Sequence, residues 1–208
     1  MIGYLILVLI AAFFAVILIR TLNFKPKAQP ATSQEAVAFD QDAATEALAQ
    51  LIRCKTISYS DHSLEDDAEF EKMIALLPKL YPNVFKVCSF DQLPDRGLLF
   101  KWAGKTAGDS TILMAHYDVV PVNEENWDKP PFDAIIEDGC LWGRGTLDTK
   151  GTFNGVLFAA DTLIAQGFQP EHDVYFAFSG GEEVSGPGAS NIVTWFQELG
   201  ITPALVVD

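Results

Sequence analysis

The chain has 208 residues, 49% of them hydrophobic, with 28 acidic against 14 basic side chains for a net charge of −14. That length allows one sizeable domain and a little more. The acidic balance argues against nucleic acid and against binding along an anionic membrane surface, because both need clustered Lys and Arg.

Part of the hydrophobic content is concentrated at the start. Ile2 to Ile19 holds no charge, no proline and one glycine. As a helix it would span roughly 27 Å, close to the thickness of a bilayer core. A cleaved signal peptide would have a basic start, a shorter apolar run and a small-residue cleavage site. Met1 to Tyr4 carry no Lys or Arg and no Ala-x-Ala site follows. The favoured reading is a single-pass transmembrane anchor over residues 1–20. Arg20, Lys25 and Lys27 follow it, and the positive-inside rule would put the remainder in the cytoplasm. Three residues are a slight signal, so the side of the membrane stays open. Without Arg20, Lys25 and Lys27 there remain 11 basic against 28 acidic side chains, a net of −17.

Residues 21–40 read as a linker, with Pro26, Pro30 and the small, polar run Ala31 to Gln34. Folded structure is expected from residue 41 to 208. Helical spacing predicts a helix over 42–53 and a second from Glu65 to Leu80. Thr111 to Ala115, Val174 to Phe178 and Ala204 to Val207 are short apolar runs that predict buried strands. Asp148 to Gln166 predicts a helix stopped by Gly167. Pro187 to Leu199 predicts another, with proline near its start and Gly200 past its end. Strands alternating with helices predict an α/β fold with a mixed, largely parallel sheet and helices on both faces. Cys54, Cys88 and Cys140 are odd in number and match no zinc spacing, so free thiols are expected.

Each predicted buried strand runs into residues that can hold a metal. His116 and Asp118 follow the first, Glu182 and Glu183 the second, Asp208 the third. Ligands of open α/β sheets bind beyond the carboxyl ends of the strands, so residues far apart in sequence could meet at one edge. Imidazole and carboxylates suit a divalent metal. Carboxylates crowded together without a cation would repel one another. Asp148, with two oxygens, is placed to bridge two ions. Asp118 could hold His116 by its other ring nitrogen. Of the adjacent pair Glu182 and Glu183, one could ligate and the other accept a proton from water. Read singly, each residue has a plainer role: a half-buried histidine, a helix N-cap at Asp148, a solvated acidic pair at a helix start. His62 and His172 look ordinary. Trp127, Pro130, Pro131 and Phe132 read as a packed loop. Arg144 could meet a substrate carboxylate, although support of the Gly143–Gly145 turn is the stronger reading. The chain holds no His-Glu-x-x-His helix, no Gly-x-Ser-x-Gly elbow and no phosphate loop of the Walker type.

MAHYDVVPV at 114–122, GRGTLDTKG at 143–151 and SGGEEVSG at 179–186 resemble the aminoacylase and carboxypeptidase family of two-zinc metallopeptidases. NWDKPPF at 126–132 and LIRCKTIS at 51–58 resemble its carboxypeptidase S and N-acyl-amino-acid hydrolase branch. The resemblance runs from about residue 42 onward. It implies that His116, Asp148, Glu183 and Asp208 bind two divalent metals, zinc before manganese or cobalt, with Asp148 bridging. It implies that Asp118 orients His116 and that Glu182 is the general base. The implied substrates are peptides or N-acyl amino acids with a free carboxylate. The branch commonly has Asp where this chain has Gly181. The family also uses a later metal-binding histidine and an inserted domain for dimerisation and substrate contact, so the chain reads as the N-terminal portion of such an enzyme and a homodimer is expected only of the full-length protein. The rival readings are a non-catalytic membrane-anchored fragment and a metal-dependent ester or acyl-transfer enzyme on the same fold.

Overall fold

The computed structural model describes residues 1–25 and 38–208. Pro26, Pro30 and the Ala31–Gln34 run of the expected linker lie outside the described residues. The chain divides into two units, Met1–Ala38 and Phe39–Asp208.

Among its described residues, the first unit holds one helix, α1 (Ile2–Leu22), apolar on every side and long enough to cross a membrane.

The second unit is a layered α/β fold. It opens with α2 (Gln41–Ile52), whose first turn is capped by the Asp40 carboxylate accepting from the Ala43 amide. Helix α3 (Asp67–Leu80) begins two residues later than the spacing predicts. Asp66 is its cap. Glu65 is drawn inward to pair with Arg96 and to accept from the Tyr59 amide. A short helix α4 (Pro82–Val87) has its first amides bonded to the carboxylate of Asp161.

Five strands make the main sheet: β1 (Ser89–Leu93), β2 (Gly97–Trp102), β3 (Thr111–His116), then beyond a separate hairpin β6 (Val174–Ser179) and β7 (Leu205–Val207). The hairpin is β4 (Ile135–Glu137) with β5 (Cys140–Trp142). The spatial order is β1-β2-β6-β3-β7. Strands β1, β2 and β6 are mutually antiparallel where they pair, and β6, β3 and β7 are parallel. Strand β7 was expected to be buried. It is half-exposed along its length because it has one neighbour, β3, and forms the sheet's edge.

The two faces of the sheet are covered differently. On one face, helix α5 (Lys150–Ala165) packs with α2, α3 and α4 around Phe100, Phe153, Phe176 and Phe178. On the other, helix α6 (Gly188–Glu198) sets Ile192 and Phe196 against Leu99, Tyr175 and Ala177. Helices therefore lie on both faces of a mixed sheet.

Candidate metal centre

Because β3, β6 and β7 are parallel, their carboxyl ends emerge on one edge of the sheet. His116 is the last residue of β3 and pairs in register with Ser179, the last residue of β6. The chain leaves β6 through Gly180, where a Cβ would sit 2.5 Å from the Tyr117 ring, so only glycine fits. A tight 3-10 turn, Glu182–Val184, follows. Its two leading amides point at one carboxylate. Glu182 N donates to Asp118 Oδ1 at 3.1 Å and Glu183 N to Asp118 Oδ2 at 3.2 Å.

Asp118 is fully buried, and its remaining partners are specific. Ser58 Oγ donates to Oδ2 at 2.7 Å, and His116 Nδ1 lies 3.4 Å from Oδ1. These donors hold the Asp118 carboxyl below its usual range, although burial opposes them as the largest single influence. The Ser58 segment is fixed alongside by Ser58 N donating to Val119 O and Val119 N donating to Thr56 O.

His116 is buried, with its two ring nitrogens in contrasting settings. Nδ1 lies 3.1 Å from the Asp118 main-chain oxygen, which can only accept, so Nδ1 carries a hydrogen. Nε2 therefore presents its lone pair toward Asp148 Oδ1 at 3.0 Å and Glu182 Oε2 at 3.7 Å whenever the ring is neutral. Without a metal, burial disfavours the imidazolium, but Asp118 and Asp148 outweigh it and push the His116 pKa up to about 9.

Asp148 does not cap α5. The helix starts two residues later, at Lys150, with Thr149 in the cap position. Thr149 is itself engaged elsewhere. Its hydroxyl donates to His116 O at 2.8 Å and accepts from His116 N at 3.1 Å, tying the head of α5 to the end of β3. This leaves the Asp148 carboxylate, with a 72% exposed side chain, turned to His116. Beneath it, Lys150 is wholly buried and donates to the carbonyls of Leu51 and Cys54 at 3.0 and 2.7 Å. Burial pushes its pKa down to about 8.

One ligand atom each from His116, Asp148 and Glu183 lies within 4.8 Å of the others. The donor set, one imidazole and two carboxylates, is that of a hard-to-borderline divalent ion. Nε2 can bind it once the ring gives up its proton. The Glu183 carboxyl is raised, mainly by burial, with Asp148, Asp118 and Glu182 adding repulsion that a cation would relieve. Glu182 stands beside the group with a 58% exposed side chain. Asp208 falls one residue past Val207, which pairs with Leu113, and among the described residues it is not part of the cluster.

Other expected residues sit apart. His62 pairs with Glu65, and His172 lies 3.3 Å from the Thr106 hydroxyl. Phe132 is buried under Lys55, as a packed loop requires. The Arg144 main-chain N donates to Pro131 O at 2.7 Å, securing the turn. All three cysteines are free. Sequence reading overlooked Ser58, Thr149 and Lys150 as supports of the site. Each lay inside a stretch that carried the resemblance, but nothing in its residue type marked the long-range bond it makes.

Residues 112–207 match the family described as Peptidase family M20/M25/M40. Among curated proteins, the chain is 37% identical to the probable carboxypeptidase S-like 2 of Dictyostelium discoideum, over 75% of this chain and 31% of that protein. It is 35% identical to the human N-fatty-acyl-amino acid synthase/hydrolase PM20D1, over 78% of this chain and 33% of that protein. The chain thus spans about a third of the length of these relatives. Its fold is that of human carnosine dipeptidase 1 (TM-score 0.67, 15% identity, 81% of this chain and 38% of that one). It is also that of an M20 family metallo-carboxypeptidase from Sulfolobus solfataricus (TM-score 0.61, 21% identity, 81% and 37%).

Proposed function

We propose, on the premise that this chain resembles the M20/M25/M40 peptidases and within them the carboxypeptidase S and N-acyl-amino-acid hydrolase branch, that it carries the metal-binding part of an amidohydrolase. The full-length protein cleaves amide bonds of peptides or N-acyl amino acids that bear a free carboxylate. The observation that carries this reading is the convergence of His116, Asp148 and Glu183 beside Glu182 at the carboxyl edge of parallel strands.

In this reading His116, Asp148 and Glu183 hold divalent metal, zinc by preference. For a second ion, Asp148 would again contribute its carboxylate and Asp208, just past β7, would add another. When bound, the metal supplies Lewis acidity toward the amide carbonyl and lowers the pKa of water. Asp118 keeps the His116 ring in the tautomer and orientation that ligation needs. Glu182, exposed and free of backbone duties in its side chain, accepts the proton of the attacking water and passes it to the leaving amine. Helix α1 anchors the enzyme in a membrane.

The test is hydrolysis of N-acyl amino acids and dipeptides by the full-length protein. Activity should vanish on chelation and return with added zinc. Activity that survives exhaustive chelation would overturn the reading.

A further inference from the structure

We propose that Arg144 anchors the free carboxylate of the substrate, in a cleft that adjoins the metal-binding edge at Asp148. The inference rests on the amidohydrolase reading above and adds a residue that the reaction chemistry does not itself require.

The cleft measures about 410 Å³, and its walls include Trp127, Trp142, Arg144, Leu147 and Asp148. One wall is therefore a proposed metal ligand and the others are largely apolar. Leu147, immediately before Asp148, is 92% exposed, and Trp142 is 43% exposed. Leu147, presented next to an acidic centre, can meet a substrate side chain.

The charge pattern is more telling. The folded unit contains three arginines. Arg53 pairs with Glu46, and Arg96 pairs with Glu65 and Asp67. Arg144 makes no ion pair among the described residues, in a chain with 28 acidic side chains. Its Nε is buried and has no hydrogen-bond partner, the single side-chain atom so placed among the described residues. A buried unsatisfied donor costs about 1–3 kcal/mol, so it calls for an acceptor. The guanidinium lies over the Trp127 ring, 5.1 Å from its centroid, which fixes its plane. A planar fork held in one orientation suits bidentate binding of a carboxylate.

The nearby electrostatics explain why such an anchor is needed. Asp118, Asp148, Glu182 and Glu183 surround one imidazole, so an anionic substrate approaches carboxylates that bound metal only partly offsets. A cation on the wall of the same cleft, outside the cluster, holds the substrate's negative end away from them. The turn itself depends on the main-chain N of Arg144 bonding Pro131 O, not on the side chain. Replacing the side chain therefore removes the anchor and keeps the turn.

The experiment compares the full-length protein with Arg144→Gln, Arg144→Lys and Trp127→Leu. Ligands are N-dodecanoyl-phenylalanine and leucyl-phenylalanine, each paired with its carboxamide. Affinity is read by calorimetry and hydrolysis by KM and kcat, with thermal midpoint and metal content as controls. Wild type should favour each free acid over its carboxamide by at least about tenfold. In Arg144→Gln that ratio falls to near one, through KM rather than kcat, while carboxamide binding is unchanged. Arg144→Lys retains part of the ratio. Trp127→Leu, which keeps the charge without the ring, lies between, and it decides the matter if Arg144→Gln does not fold. The pair that shows the effect tells whether acyl amino acid or peptide is the source of the carboxylate. A wild-type ratio of one, or a ratio unchanged in the variants, overturns the anchor. Selective binding without any hydrolysis would overturn the amidohydrolase reading and leave the anchor standing.

Discussion

Asp118 and Asp148 stand on opposite sides of one imidazole and could hardly be housed more differently. Asp118 is fully buried and bonded to a hydroxyl, two main-chain amides and the Nδ1 side of His116. Asp148 is largely exposed, and His116 Nε2 is its one side-chain partner among the described residues. The floor of the site is a finished hydrogen-bond network, and its rim is a set of carboxylates with bonding capacity to spare. A metal centre needs both. The floor fixes which nitrogen is offered, and the rim supplies charge that only a cation can balance.

The comparison can be broken most forcefully at the floor. Asp118→Ala leaves the Glu182 and Glu183 amides without an acceptor and takes the carboxylate from the Ser58 hydroxyl and the His116 ring, and should cost about 3–5 kcal/mol by denaturant unfolding of the metal-free protein. A loss below about 1 kcal/mol would mean the network is not what holds the loop Glu182–Val184 against β3. The next effect is a pH dependence. His116 is raised from 6.5 to about 9 in the metal-free fold, so the folded state binds the extra proton. The stability this contributes is fully present below pH 6.5 and is lost as pH rises through about 9. Zinc binding within that window should release a proton, visible as a buffer-dependent heat in calorimetry. Binding heats identical in buffers of different ionisation enthalpy would contradict it.

Ser58→Ala removes one charge-assisted donor and should cost about 1–3 kcal/mol, with metal affinity reduced but not abolished. Asp148→Ala should be the mildest for stability, under about 1 kcal/mol, because its ion pair with His116 is exposed on the carboxylate side. It should nevertheless abolish high-affinity metal binding. That inversion of stability and binding effects between the two aspartates is the sharpest signature of floor and rim.

The rim was readable in the sequence, and the floor only in part. His116 ends β3, Glu182 and Glu183 follow β6, and Asp148 stands just before α5, places where residue type and position together signal a ligand. Asp118 could be inferred from its spacing to His116. Ser58 could not, since its bond to Asp118 spans 60 residues and a lone serine carries no period. Lys150 is a lysine in the first turn of α5, and nothing in helical spacing announces that it is buried against two carbonyls. The fold shows the same division. Strands β3 and β6 were legible as apolar runs, because neighbours cover both sides. The β1–β2 hairpin was not singled out: β1 is half-exposed, and its turn uses left-handed backbone at Asp95 and Arg96 rather than an Asn-Gly or Asp-Gly signal.

The central claim is a division of labour between adjacent glutamates, Glu183 holding metal and Glu182 moving the proton. It is tested by measuring metal content and kcat together in the Glu182→Gln and Glu183→Gln forms of the full-length protein. Glu182→Gln should keep its metal and lose turnover by about 10²–10⁴-fold or more, whereas Glu183→Gln should lose metal affinity. Full turnover in Glu182→Gln, or equal loss of metal from both, would contradict the account.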